Sequence, residues 1–275
     1  MSSLTFRSAD TLSLEHLAEA FNAAFGGYFY PQQHTGETFA RRARLEQLDL
    51  HHSLLAYVGE EYAGVSLLGI RGRAGWCGGF GIVPELRGRG LARELMQEFI
   101  AEARRCELER LSLEVLARNV AARQLYESAG MSVTRDLLIL ERARTAEDSG
   151  RTSKLTEAAP EMLLRSFARL HACPPAWQRD LPSLLTTDGA RGFYLGDSDA
   201  PSAYALLVSK GAGAAHLLDL AAEDEGAAQE LCAGLCELPY TLRSINEPSD
   251  GMFAPLLAAH GFDEKDRQHE MVCEL

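Results

Sequence analysis

Pro84 and the glycines on either side of it fix what the first half of this chain can fold into. The run Ile82-Val83-Pro84-Glu85-Leu86-Arg87-Gly88-Arg89-Gly90-Leu91-Ala92 reads as a strand end, a tight turn and a helix start. The strand is expected over Ala74–Val83, and Pro84, which cannot donate to a ladder, closes it. Leu91, Leu95, Met96, Phe99, Ile100 and Ala103 then recur at helical spacing as far as about Cys106. A helix N-terminus presents unpaired N–H groups and a partial positive charge, which together favour phosphate. Gly88 and Gly90 leave room for a phosphate to reach those amides, and Arg87 and Arg89 add charge. The turn reads as a pyrophosphate cradle. Within the strand, Gly78, Gly79 and Gly81 point to a bulge or to a surface that something approaches closely.

The loop is not the P-loop, because no lysine and hydroxyl follow its last glycine. Nor is it G-x-G-x-x-G with an acidic ribose contact about 20 residues downstream. It matches R-x-x-G-x-A on Arg87, Gly90 and Ala92, and a second block follows. There Leu111–Val115 reads as a short buried strand, and Ala121–Ala129 as a helix ended by Gly130. Together the blocks resemble the GCN5-related N-acetyltransferases (GNAT), over roughly residues 4–142. The resemblance implies that Arg87, Gly88, Arg89, Gly90, Leu91 and Ala92 hold the pyrophosphate of acetyl-CoA, the acyl-donating co-substrate. It implies that Phe80, Gly81, Ile82 and Val83 pair with the pantetheine amides as an added strand would. Asn119 would hydrogen-bond the cofactor arm, and Tyr126, seven residues on, would protonate the departing thiolate. Phe25, Tyr28, Phe29 and Tyr30 fall in the loop where the family builds its acceptor pocket.

The reaction sets a further requirement. A primary amine must be neutral to attack a thioester, and removing its proton at pH 7 costs about 4.6 kcal/mol for a pKa of about 10.4. A carboxylate can serve as base. Glu114, twelve residues before Tyr126 on the strand beside the cofactor, is the candidate, with an arginine-pairing structural role as its alternative. His34, His51 and His52 match no metal-ligand spacing, so no metal is expected.

In order, the first half is expected to hold a strand at Leu4–Ser8, helices at Leu14–Phe25 and Thr38–Leu48, and strands at Ser53–Val58, Tyr62–Arg71 and Ala74–Val83. The cofactor helix, the strand at Leu111, the helix at Ala121 and a strand at Met131–Glu141 follow. Residues 143–155 are polar and aperiodic and read as a linker. The second half replays this outline: a helix at Pro160–His171, three strands, a helix at Gly226–Leu235, a strand at Tyr240–Ile245, a helix at Met252–His260 and a strand at His269–Leu275. His260-Gly261-Phe262 corresponds to Ala129-Gly130-Met131 at an offset of 131. The expected fold is α/β (α+β): two tandem GNAT-like domains, residues 1–145 and 155–275, each a mixed, mostly antiparallel sheet flanked by helices. The second is expected to be degenerate. Glu223-Asp224-Glu225 replace the arginine–glycine turn, Leu257 or Phe253 falls where Tyr126 would be, and Arg243 stands in the place of Glu114.

Charge separates the halves. Residues 1–145 carry 17 arginines against 18 carboxylates, and residues 146–275 carry 10 basic against 21 acidic groups, so nearly all of the net charge of −12 is in the second. That acidity argues against nucleic acid as a partner. No apolar run is long enough to span a bilayer, the N-terminus lacks a signal core, and six scattered cysteines form no C-x-x-C pair. A cytoplasmic location with reduced thiols is expected. The reading is an acetyl-CoA-dependent N-acetyltransferase acting on a small-molecule or peptide amine. A CoA-sensing protein without turnover and an enzyme for a longer acyl-CoA are the alternatives. Acceptor and oligomeric state stay open.

Overall fold

The computed structural model describes residues 4–145 and 153–275. By internal contacts it divides into two compact units, one of residues up to Thr134 together with Glu270–Leu275, the other Arg135–His269. The division falls between Thr134 and Arg135, eight residues before the expected linker at 143–155, part of which (residues 146–152) lies outside the described residues.

In the first unit, β1 (Thr5–Ser8), β2 (Leu48–Val58), β3 (Glu61–Arg71) and β4 (Ala74–Ile82) pair antiparallel in order, and β5 (Arg110–Leu116) adds in parallel beside β4. Alternation along β2 sends Leu54 and Ala56 to one face and Leu55 to the other. The first face is covered by α3 (Leu91–Arg105), through Leu91, Leu95, Met96, Phe99, Ile100 and Ala103. The other is covered by α1 (Leu14–Ala24) and α2 (Gly36–Glu46), through Leu17, Phe21 and Phe39. The helix α4 (Val120–Ser128) follows β5. Helix α2 starts two residues earlier than its periodicity predicts, because Thr35 and Thr38 form a reciprocal cap. It ends at Gln47 in the left-handed region, so β2 starts at Leu48 rather than Ser53 and takes in His51 and His52.

The expected last strand of the first half is β6 (Ser132–Arg142), and most of it belongs to the second unit, where Leu138 and Leu140 enter the core and Leu242 pairs with Arg142. In exchange, the end of the C-terminal strand β12 (Asp263–Glu274) completes the first unit. Met271 and Cys273 are buried against Leu113 and Val115, and the Leu275 amide donates to the Glu109 carbonyl at 2.9 Å. Apolar strand ends set the boundary here, and the polar stretch that reads as a linker does not.

The second unit orders β6, β11 (Thr241–Pro248), β10 (Ala214–Ala222), β9 (Pro201–Gly211), β8 (Ala190–Gly196) and β7 (Thr156–Ala158), with β10 and β11 parallel and the other neighbours in this run antiparallel. Helices α8 (Glu225–Cys236) and α9 (Phe253–Ala259) cover one face; α5 (Pro160–Leu164), α6 (Phe167–Leu170) and α7 (Leu181–Leu185) lie on the other. The single helix expected over Pro160–His171 is broken, because the Ser166 amide bonds back three residues, to Leu163, and the turn tightens. Both units are thus mixed, largely antiparallel sheets flanked by helices. No helix among the described residues is long and apolar enough to cross a membrane.

Candidate active site in the first unit

The site begins with a bulge. Leu67 of β3 pairs with Gly79 and Leu68 with Cys77, so Gly78 is an extra residue that bends β4. The parallel ladder to β5 is therefore short, from Ala74–Arg110 to Trp76–Ser112, and the strands diverge beyond it. The three strand glycines answer to the protein's own packing. A Cβ at Gly79 would lie 2.6 Å from the Phe21 ring, one at Gly81 2.9 Å from the Ala24 carbonyl, and one at Gly78 2.7 Å from Leu48 and Trp76. What approaches Gly79 and Gly81 closely is helix α1. Phe80, Gly81 and Ile82 lie on β4 beyond its last rung with β5, and Val83 follows the strand.

At the end of that opening the chain makes a 3-10 turn over Pro84–Leu86 and enters α3. Gly88 and Gly90 sit at φ 75° and 84°, a conformation that costs other L-residues about 1–2 kcal/mol, and a Cβ at either would meet nothing within 4 Å. Gly90 is the N-cap of α3, so no side chain caps the amides of the first turn. Glu94, the acidic residue of that turn, is turned away: its carboxylate accepts from the Leu4 amide at 2.7 Å. The first turn of α3 thus starts without a side-chain cap, at the positive end of the helix dipole.

Arg87 does something other than supply free charge. Its Nε donates to the Ile82 carbonyl at 2.9 Å, and its Nη2 donates to the carbonyls of Ala24 (3.0 Å) and Gly26 (2.8 Å). It braces the turn against the end of α1. Arg89 donates to the Glu85 carbonyl at 3.0 Å across the same turn.

Tyr126 is buried on α4 with its ring edge against Phe80, centroids 5.9 Å apart. Burial pushes its phenol well above 10, and Cys77 and Tyr28 add to this. Glu114 on β5 is half-buried, and its Oε2 accepts from the Trp76 Nε1 at 2.8 Å. Burial pushes its carboxyl up to about 8; the Trp76 bond opposes this, and negative charge on Glu270 and Glu46 reinforces it. Cys77 faces both residues, and burial pushes its thiol up to about 12. Asn119 caps α4, its Oδ1 accepting from the Ala122 amide at 3.3 Å.

Trp76 carries no motif, and Glu270 lies 156 positions from Glu114 in sequence, so neither was legible there. The aromatic loop is held in place by Asn22, which exchanges hydrogen bonds of 2.8 and 2.9 Å with the His34 backbone. Phe25 stacks on Phe21 at 4.4 Å, and the Arg118 guanidinium lies 4.6 Å over Phe29 and 5.5 Å over Tyr30.

In the second unit, too, a bulge lies beside a parallel pair of strands. Leu217 of β10 pairs with Leu207 and Asp219 with Leu206, a bulge at the corresponding place. The parallel ladder sets Arg243 opposite His216 as Ser112 is opposite Trp76, so Ile245, not Arg243, holds the place of Glu114. Beyond the ladder the buried Arg179 reaches in. It donates to Ser244 Oγ (2.8 Å) and the Ile245 carbonyl (3.3 Å), and its ion pair with Glu247 spans 2.8 Å. At the N-terminus of α8, Asp224 caps the Ala227 amide at 2.8 Å.

Residues 14–131 match the family model described as Acetyltransferase (GNAT) family. No curated protein matches the chain. Among solved structures, a protein from Pyrococcus horikoshii superposes with a TM-score of 0.70 at 16% identity, covering 100% of this chain and 90% of its own. A GCN5-related N-acetyltransferase from Sphaerobacter thermophilus gives 0.66 at 16%, covering 98% and 95%. A tandem GNAT protein from the clavulanic acid biosynthesis pathway gives 0.68 at 15%, covering 99% and 98%. At these identities the likeness is one of fold, and with the family match it makes residues 14–131 a GNAT-fold domain.

Proposed function

We propose that the first unit is an acetyl-CoA-dependent N-acetyltransferase and that the second is a copy of the same fold without a working site. The observation that carries this reading is the opening between β4 and β5, which leads to an uncapped helix N-terminus and is bordered by Tyr126 and Glu114. Pantetheine would pair along Phe80–Val83, the pyrophosphate would sit on the amides around Gly88–Ala92, and Asn119 would donate to the arm. The acetyl thioester would supply the activated carbonyl.

The amine nitrogen attacks that carbonyl carbon as Glu114 takes its proton, directly or through water. The C–N bond forms, the C–S bond breaks, and Tyr126 gives its proton to the departing sulfur. A phenol held well above 10 stays protonated until then, as a general acid must. A thiol held near 12 makes Cys77 a poor nucleophile, which favours direct attack over a covalent acyl-enzyme. Arg179 closing the corresponding opening in the second unit supports one cofactor per chain. The tandem GNAT protein among the structural relatives supports reading the two units as tandem copies.

The test is a panel of primary amines with acetyl-CoA, read as free thiol release and confirmed by mass of the product. Turnover that is lost in Tyr126→Phe supports the reading. Acetyl-CoA binding without turnover on any amine would favour a CoA-sensing role.

A further inference from the structure

A second cluster of chemistry-bearing side chains lies on β2 and the C-terminal end of α3. Glu102 and Cys106 are one helical turn apart, Cys106 being the C-cap of α3, and the bulged start of β2 brings His52 against them. The His52 Nδ1 is 2.6 Å from Glu102 Oε1, and the nitrogen, oxygen and sulfur of the three residues all lie within 4.8 Å of one another. None of the three belongs to the cradle, to the opening between β4 and β5, or to the residues around Tyr126.

We propose that His52, Glu102 and Cys106 form a binding site for a divalent transition-metal ion, of which zinc fits best. An imidazole, a carboxylate and a thiolate are the donor types zinc takes, at about 2.0–2.3 Å, and a thiolate disfavours the hard ions magnesium and calcium. Three protein ligands leave the fourth tetrahedral position to water. The charges suit a cation. Two carboxylates, Glu102 and Asp49, stand beside His52. The backbone holds His52 in register, its amide donating to Asp49 Oδ1 at 3.0 Å. Arg105 engages the other carboxylate oxygen, Glu102 Oε2, leaving Oε1 to face the cluster; half of the Arg105 side chain is exposed, so it can turn outward. The site would tie β2 to the end of the helix whose other end forms the cradle.

The test is cobalt(II) and zinc(II) binding to the full chain under reducing conditions, with the exposed Cys173 changed to Ser to remove a competing thiol. The expected result is one ion per chain and a cobalt spectrum with a thiolate-to-metal charge-transfer band. Cys106→Ser should remove that band. His52→Ala should weaken zinc by more than the roughly 10- to 100-fold that changes behind a ligand cost. Zinc should also raise the melting temperature of the parent chain and leave that of a His52→Ala/Cys106→Ser double variant unchanged. Absence of saturable binding, or a charge-transfer band that survives Cys106→Ser, would overturn the proposal and leave the three residues as an ion-pair cluster.

Discussion

The indole N–H of Trp76 points at the carboxylate of Glu114, 2.8 Å from Oε2, across the last rung of the β4–β5 ladder region. This bond stabilises the charged carboxylate, while burial acts the other way and leaves the carboxyl at about 8. Trp76→Phe keeps the ring and removes the donor. The apparent pKa on the acid limb of kcat/KM should then move to higher pH, with acetyl-CoA affinity unchanged. A profile that does not move would mean that Glu114 is not the titrating base.

Glu114→Gln tests the same group from the other side. A base with a pKa raised to about 8 is charged, and so working, only above that value. The loss in rate should be greatest above about pH 8 and should shrink toward pH 6. A uniform loss across the range would point to positioning instead of proton transfer.

Tyr126→Phe should lower kcat by about 10²- to 10⁴-fold with little change in cofactor affinity. The edge contact between the ring and Phe80 survives, so a fall in stability would not explain the result. Equal turnover by parent and variant on a true acceptor would remove Tyr126 from the mechanism.

Gly90→Ala and Gly27→Ala form a matched pair. Both glycines have positive φ, 84° and 70°, and neither Cβ would meet protein atoms within 4 Å. Each change should cost about 1–2 kcal/mol of stability. Only Gly90→Ala should also weaken acetyl-CoA, by about tenfold or more in calorimetry, because only there would the methyl stand in the cradle. Equal affinities in the two variants would place the pyrophosphate elsewhere.

The second unit carries a pH-dependent buried pair. His171 bonds the Phe167 carbonyl through Nδ1 at 3.0 Å and the buried Asp219 through Nε2 at 3.1 Å, and Tyr204 donates to the other Asp219 oxygen at 2.8 Å. Both ring nitrogens face acceptors, so the imidazolium is favoured; burial opposes it, and Asp219 raises the pKa above 6.5 on balance. A raised folded-state value means the stabilisation is complete below the unfolded pKa of about 6.5 and is lost as pH rises through the folded one. Melting temperature should fall over that window in the parent, and the fall should be absent in His171→Gln.

The sequence by itself determined the turn from β4 into α3. A proline that ends a strand, glycines that alone tolerate positive φ, and an apolar helical stripe beginning at Leu91 are local properties, and each is met in the structure. The same holds for the Gly130 and Gly261 helix ends, both in the left-handed region. Tertiary structure decided what depends on partners far away in the chain. The strand glycines exist for Phe21 and Ala24, and Arg87 is a brace because the end of α1 offers it carbonyls. The place of Glu114 in the second unit is Ile245 because ladder register, not residue type, sets correspondence. Pairing also gives β6 to one unit and the tip of β12 to the other, carrying Glu270 toward Glu114. Periodicity says which face of a strand is apolar, and the burial of that face against one neighbour or another is settled only when the whole sheet assembles.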